Sequence, residues 1–197
     1  MGDDHDAHGG HEPPTEHEHH HDDIDVLGVS VVTISSTRSL DDDPSGDAIA
    51  TAITETGHEL VQRELVPDDH DTIQSIVGRL SKREDTDTVI TTGGTGVSPD
   101  DVTVEAVEPL FAKTLPGFGE LFRRRSIDDI GTRVVGTRAV AGIVAGVPVF
   151  CLPGSEQAVE LGVEELVLPE APHLAGLARD DAADEPGDAG EPDEAAK

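Results

Sequence analysis

The stretch 87–103, DTVITTGGTGVSPDDVT, limits more than any other what this chain can become. It opens with Thr88, Val89, Ile90, Thr91 and Thr92, a β-branched run with the composition of a buried strand. Gly93, Gly94, Thr95 and Gly96 follow, then Ser98-Pro99-Asp100, which reads as a helix start, with a helix expected over about 100–108. Strand, glycine loop and helix N-terminus in that order suit an anion. Glycine lets the backbone approach a ligand closely, and unpaired N–H groups favour negative charge. Phosphate is the natural candidate. No Gly-Lys-Ser/Thr follows, so this is not a P-loop, and the spacing is not that of a GxGxxG dinucleotide turn. For an isolated GGTG, a tight turn without ligand is the plain alternative. Asp100 and Asp101 favour a phosphate or nucleotide site, because a carboxylate beside a phosphate is useful when a divalent cation is shared.

The rest of the chain alternates strand and helix around that loop, the pattern of an α/β domain. Residues 25–35 read as a first central strand, ended by the hydroxyl-rich Ser35-Ser36-Thr37-Arg38-Ser39, a loop placed to line a ligand crevice. A helix is expected from Ser45-Gly46-Asp47 to about Thr56, with Gly57 as its C-cap, and a second strand at about 59–66. Pro67-Asp68-Asp69 precedes a helix of about 70–83, whose Ile73, Ile76, Val77 and Leu80 fall at helical spacing. Asp68 either caps that helix or, lying at a strand's C-terminal end as the glycine loop does, shares its crevice.

A further helix, begun by 115–120, carries Arg123, Arg124 and Arg125; a salt-bridged subunit contact and a phosphate clamp both fit this cluster. Strands are expected over 138–144 and 147–152, with Ala145-Gly146 as the turn. Pro153-Gly154-Ser155 then opens a helix of about 156–167, a second strand–glycine–helix junction and a second candidate anion site. Pro169 and Pro172 are expected to interrupt the chain before a short final helix.

At 197 residues the chain holds one full α/β core plus tails: 1–23, a domain over 24–179, and 180–197. Residues 1–23 hold seven of the ten histidines among acids, glycines and prolines, and 180–197 are acidic; both read as disordered. Weak metal donation by the histidine-rich end is a further reading, and its interleaved acids speak against an affinity tag. The net charge of −29 extends into the middle of the chain, where 26 acids face 12 basic residues. Such a surface suits a salt-rich cytoplasm and excludes nonspecific nucleic-acid binding. Cys151 lies in an apolar run and reads as a core thiol; no run is long enough for a membrane span, so a cytoplasmic protein is expected.

Five motifs recur in an order that resembles the MoaB/MogA family of molybdenum-cofactor biosynthesis proteins: TTGGTG (91–96) with Asp101-Val102-Thr103, PGFGE (116–120) with Phe122-Arg123, IGT (130–132), TRAVAG (137–142) and LPGS (152–155). The GFGE-x-FR pattern is more similar to MoaB members than to MogA members. The resemblance implies a three-layer α/β/α molybdopterin-binding domain with a mainly parallel sheet, assembled as a homotrimer or homohexamer. It also implies adenylylation of molybdopterin by ATP with Mg²⁺, releasing pyrophosphate, and a MoeA-like metal-insertion protein downstream. The family's two important aspartates fall on Asp68 and Asp101, implied as catalytic and Mg²⁺-holding. Its substrate-binding positions fall on Gly93, Gly94, Thr95 and Gly96, on Ser35, on Thr137 and Arg138, and on Pro153, Gly154 and Ser155. Relatives often read Ser-Asp-Arg after the first strand, where this chain has Ser35-Ser36-Thr37-Arg38. The absent carboxylate keeps open a non-catalytic molybdopterin-binding or scaffold protein of the same fold.

Overall fold

A computed structural model describes residues 23–183. The expected disordered tails fall outside these residues, except for Asp23 and the helical turn 180–183, and so does the metal-donor reading of the histidine-rich end. Six strands form one sheet in the order β2-β1-β3-β6-β5-β4, with β1 Gly28–Ile34, β2 Glu59–Val66, β3 Thr88–Thr92, β4 Lys113–Thr114, β5 Val140–Val144 and β6 Val147–Leu152. The first four in that order run parallel; β5 and β4 are antiparallel additions at one edge. The two-residue β4 gives no sequence signal, because its pairing with Gly142 and Ile143 alone defines it.

The strands alternate their side chains between two cores, as a pleated sheet requires. Val29 and Val31 of β1, Ile90 of β3, and Phe150 and Leu152 of β6 pack on one face. There they meet α1 (Pro44–Glu55), α4 (Pro116–Ile130), α5 (Glu156–Gly162) and α6 (Leu168–Ala183). Val32, Val89, Val149 and Cys151 face the other side, against α2 (His70–Leu80) and α3 (Thr103–Val107). The result is the expected three-layer α/β/α sandwich. Its hairpin turn is as read: Ala145 and Gly146 both have positive φ, 50° and 80°, as a type I′ turn demands.

Two expectations are corrected. The helix after the glycine loop begins at Thr103 and not near Asp100, because the Asp101 carboxylate accepts the Ser98 N–H at 2.8 Å and closes 98–101 into a turn. The prolines at 169 and 172 do not interrupt the last helix. A π-turn over Val163–Val167 precedes it, and the Leu168 N–H reaches back five residues to the Val163 carbonyl. The hydrogen-bond ladder therefore changes register just before Pro169, which has no N–H to give, and α6 runs on to Ala183.

Topology positions the site. From β1 the chain passes through α1 to β2 on one side, then returns through α2 to β3 on the other side of β1. The β1/β3 junction is thus a topological switch point, where open α/β sheets leave a crevice beyond the strands' C-terminal ends.

Candidate functional site

At that end β3 runs into Gly93 and Gly94, with φ of 103° and 63°, values that favour glycine strongly. Close approach adds to the demand. A Cβ on Gly93 would collide with the Ile34 carbonyl at the end of β1, and one on Gly154 would lie 3.2 Å from the Gly93 Cα. The Gly93 N–H donates to the Leu152 carbonyl at 3.0 Å, so the ends of β1, β3 and β6 converge on this glycine.

Four consecutive carbonyls of the loop are captured by the protein. The Thr103 hydroxyl donates to Gly93 O at 2.9 Å, and its N–H to Gly94 O at 3.0 Å. Arg138 Nε donates to Thr95 O at 3.3 Å and to Gly96 O at 2.8 Å. In a planar trans peptide the N–H of the next residue points opposite to the carbonyl. With the carbonyls of 93–95 turned inward, the amides of Gly94, Thr95 and Gly96 turn outward; among the described residues they donate no hydrogen bond. This row of outward N–H groups has the polarity of an anion cradle. It borders a hollow of about 340 Å³, lined by residues 93–96, Asp101, Thr137, Pro153 and Gly154.

Two carboxylates flank the loop. Asp101 lies against Gly96, where an added Cβ would sit 2.6 Å from its Oδ2. Asp68 Oδ2 accepts both the N–H and the hydroxyl of Ser36, each at 2.8 Å, and its Oδ1 lies 3.4 Å from where a Gly94 Cβ would stand. The cap of α2 is Asp69, which accepts the Thr72 N–H at 2.9 Å, and not Asp68, whose carboxylate lies between Ser36 and Gly94.

Other expected site residues take different places. The Ser35 hydroxyl accepts the N–H groups of Thr37 and Arg38 at 3.3 and 3.2 Å, shaping the turn beneath Ser36. Ser155 caps α5 and faces a small separate hollow with Thr137 and Pro153. Arg138 is engaged by the protein itself: besides the loop carbonyls it bonds Asp101 O at 3.1 Å and pairs with Glu105. Hydrogen bonding to Arg138 holds the Glu105 carboxyl below its usual pKa. Of the arginine cluster, Arg125 lies 3.5 Å from Glu165, while Arg123 faces a third hollow.

Sequence reasoning gave no role at the site to Thr103, Ser45 or Asp43. Arg38 donates to the Ser45 hydroxyl at 3.1 Å, which donates to the Gly154 carbonyl at 2.9 Å, tying the start of α1 to the second glycine turn. Asp43, fully buried, caps α1 and accepts from the Thr33 hydroxyl at 2.7 Å and Arg63 at 2.9 Å. An Asp immediately before Pro-Ser-Gly was the one available signal. Cys151 is buried, and burial pushes its thiol up to about 12, so it is no nucleophile. Among the described residues no group of three or more His, Cys, Asp or Glu side chains gathers to hold a metal, and no helix is long and apolar enough to cross a membrane.

Comparison with known proteins agrees with this architecture. Residues 30–173 match the family described as the probable molybdopterin binding domain. The molybdenum cofactor biosynthesis protein B of Bacillus subtilis is 41% identical over 165 residues, 83% of this chain and 97% of that protein. A crystal structure of a molybdenum cofactor biosynthesis protein B superposes with a TM-score of 0.76 at 40% identity, covering 79% of this chain and 97% of the other. The tungsten cofactor synthesizing protein MoaB from Pyrococcus furiosus gives 0.70 at 37% identity, covering 78% and 98%. The ordered glycine, aspartate and PGS motifs, the switch-point crevice and these similarities together place the chain in the MoaB/MogA family of molybdenum cofactor biosynthesis proteins.

Proposed function

We propose that this protein acts in molybdenum cofactor biosynthesis by adenylylating molybdopterin. The observation that carries the reading is the cradle of outward amides at 94–96, flanked on both sides by carboxylates at a switch-point crevice. A phosphate oxygen of molybdopterin would form a bond to the α-phosphorus of ATP, the bond from that phosphorus to its bridging oxygen would break, and pyrophosphate would leave. Such transfers require positioning and charge neutralisation more than covalent help from the protein.

The donor set fits Mg²⁺. Asp68 and Asp101 each accept hydrogen bonds at Oδ2, from Ser36 and from Ser98 respectively, and offer Oδ1 as the remaining oxygen. One or two carboxylates completed by substrate phosphates and water are the usual protein share of a Mg²⁺ site. Bound there, the ion would neutralise charge on the triphosphate. The chain's own part is to hold phosphate on the 94–96 amides, to fix the loop through Thr103 and Arg138, and to orient Asp68 through Ser36.

The test is to incubate the protein with molybdopterin, ATP and Mg²⁺ in high KCl and measure adenylyl-molybdopterin and pyrophosphate. Both should form, and Asp101→Asn should lower turnover by about 100-fold or more while the fold is kept. Undiminished turnover in that variant would refute the assignment of Asp101. Bound pterin without product would favour the non-catalytic binding protein.

A further inference from the structure

The Ser35 N–H donates to the Val66 carbonyl at 2.9 Å, which carries the pairing of β1 with β2 one residue past the end of β1 and sets Ser36 against Asp68. We propose that Ser36 is a cation-selecting residue: by filling Oδ2 of Asp68 it leaves one oxygen of that carboxylate for a divalent cation, which suits Mg²⁺ and disfavours Ca²⁺. This role rests on the Mg²⁺-dependent reading above and names the side chain that decides which ion enters.

Three hydrogen bonds join the two residues. The Ser36 N–H and hydroxyl both donate to Asp68 Oδ2 at 2.8 Å, and the Asp68 N–H donates to the Ser36 hydroxyl oxygen at 3.1 Å. Because that oxygen accepts from the Asp68 amide, its own hydrogen is directed at the carboxylate. A carboxylate oxygen has two lone-pair positions, and the two donors take both on Oδ2. Oδ1 lies toward Gly94, 3.4 Å from where a Cβ would stand. Asp101 is less completely held. Among the described residues its Oδ2 accepts one donor, the Ser98 N–H at 2.8 Å, so a second position stays open.

Ca²⁺ gathers more oxygens than Mg²⁺ and often takes both from one carboxylate, whereas Mg²⁺ keeps a tight octahedron completed by water. With Oδ2 filled, Asp68 serves only the second pattern. The serine hydroxyl is what closes the first. The N–H of residue 36 belongs to the backbone and stays whatever the side chain, but alone it leaves one position on Oδ2 open. Geometry has to make this choice because charge does not: a chain of net charge −29 draws every divalent cation alike. An aspartate at position 36, as relatives often have, carries no hydrogen to give Oδ2 at neutral pH and would add a charged oxygen ligand beside Asp68. Serine removes that charge and that ligand, a loss that Mg²⁺ with its retained waters tolerates better than Ca²⁺.

The experiment titrates the whole protein with Mn²⁺ in high KCl, reads the free ion by electron paramagnetic resonance, and then displaces the bound ion with Mg²⁺ or Ca²⁺. Asp68→Asn supplies the baseline for the rest of the acidic surface. In the wild type, Asp68-dependent Mn²⁺ should yield to Mg²⁺ at a lower concentration than to Ca²⁺. Ser36→Ala should reduce that preference by roughly tenfold, as removal of a group that orients a metal ligand does. Ser36→Thr keeps the hydroxyl at an exposed position and should restore it. A serine that merely tied two loops together would, on removal, weaken both ions equally.

An unchanged preference in Ser36→Ala, equal losses for Mg²⁺ and Ca²⁺, or no Asp68-dependent Mn²⁺ binding would overturn the proposal. Failure of the two readings is separable. A Ser36-dependent preference for Mg²⁺ without adenylyl product would leave the selecting role standing and remove the adenylylation. Product formed by Ser36→Ala with the wild-type Mg²⁺ requirement and the wild-type resistance to Ca²⁺ would do the reverse.

Discussion

Arg138 Nε donates to the Gly96 carbonyl at 2.8 Å across 42 residues of chain, joining the segment before β5 to the glycine loop. The same planar guanidinium reaches Thr95 O, Asp101 O and the Glu105 carboxylate, so one side chain holds both ends of the turn. Lysine would keep the charge without the fork. Arg138→Lys and Arg138→Gln should therefore behave alike: about 2 kcal/mol less stable, with faster amide hydrogen exchange across 94–101 and lower adenylyl transfer. Wild-type exchange and activity in the Lys variant would show that charge alone suffices.

Glycine positions in this fold separate by what surrounds them. Gly94 has a positive φ, and an added Cβ would land on the Thr103 hydroxyl. Gly94→Ala should lose about 1–3 kcal/mol of stability to backbone strain and weaken ATP binding by roughly tenfold, while circular dichroism still shows a folded domain. Gly78, within α2, has nothing within 4 Å of its Cβ position. Gly78→Ala should raise stability by about 0.5–1 kcal/mol, because alanine is the better helix former. Thermal melts of the pair distinguish a glycine required by geometry from one that is not.

Asp43 ties acid stability to the site's framework. Burial pushes its carboxyl up, but hydrogen bonds from Thr33, Arg63 and the Gly46 N–H, with the charge of Arg63, outweigh burial and hold it below the usual value. Because the folded pKa is depressed, this stabilisation is complete above the unfolded value of about 4 and is lost as pH falls through the folded one. Asp43→Asn should cost about 2–4 kcal/mol at pH 7, since it removes a buried partner of Arg63. Urea melts should show the gap between wild type and variant narrowing below about pH 4. A gap constant down to pH 2 would contradict the linkage.

The acidic surface makes a separate prediction. With 26 acids against 12 basic residues between positions 24 and 179, self-repulsion at low ionic strength opposes the compact state. Melting temperature should rise with KCl well past the concentration, about 0.1 M, at which ordinary surface charges are already screened. Equal melting temperatures in low and high KCl would remove the salt-rich setting proposed for the chain.

Much of the architecture was readable in one dimension because it depends on local repetition. The fully buried β1 and β3, the helical spacing of Ile73, Ile76, Val77 and Leu80, and the positive-φ turn at Ala145-Gly146 follow from neighbours within a few positions. Asp68 stood out for a similar reason, lying just beyond the C-terminal end of β2, and Asp101 because it is a carboxylate close after the glycine loop. The start of α3 and the passage through Pro169 and Pro172 were not readable. In one, a side chain recloses the turn at 98–101; in the other, a π-turn moves the hydrogen-bond ladder.

The sequence by itself determined which residue types the site would contain: a glycine loop, two aspartates, hydroxyl groups and an arginine before β5. Only the tertiary structure decided how each is used. Arg138 sits 42 residues from Gly96, Ser36 is 32 from Asp68, and Ser45 is 109 from Gly154. Whether such groups bind a ligand or one another depends on which strands become neighbours in the sheet. The crossing from β2 back over β1 to β3 brought Asp68 to the glycine loop, and the pairing of β5 with β6 lies behind the approach of Arg138 to its carbonyls. Hydrogen bonds act over about 3 Å, so a role that depends on them exists only once the chain has closed that distance.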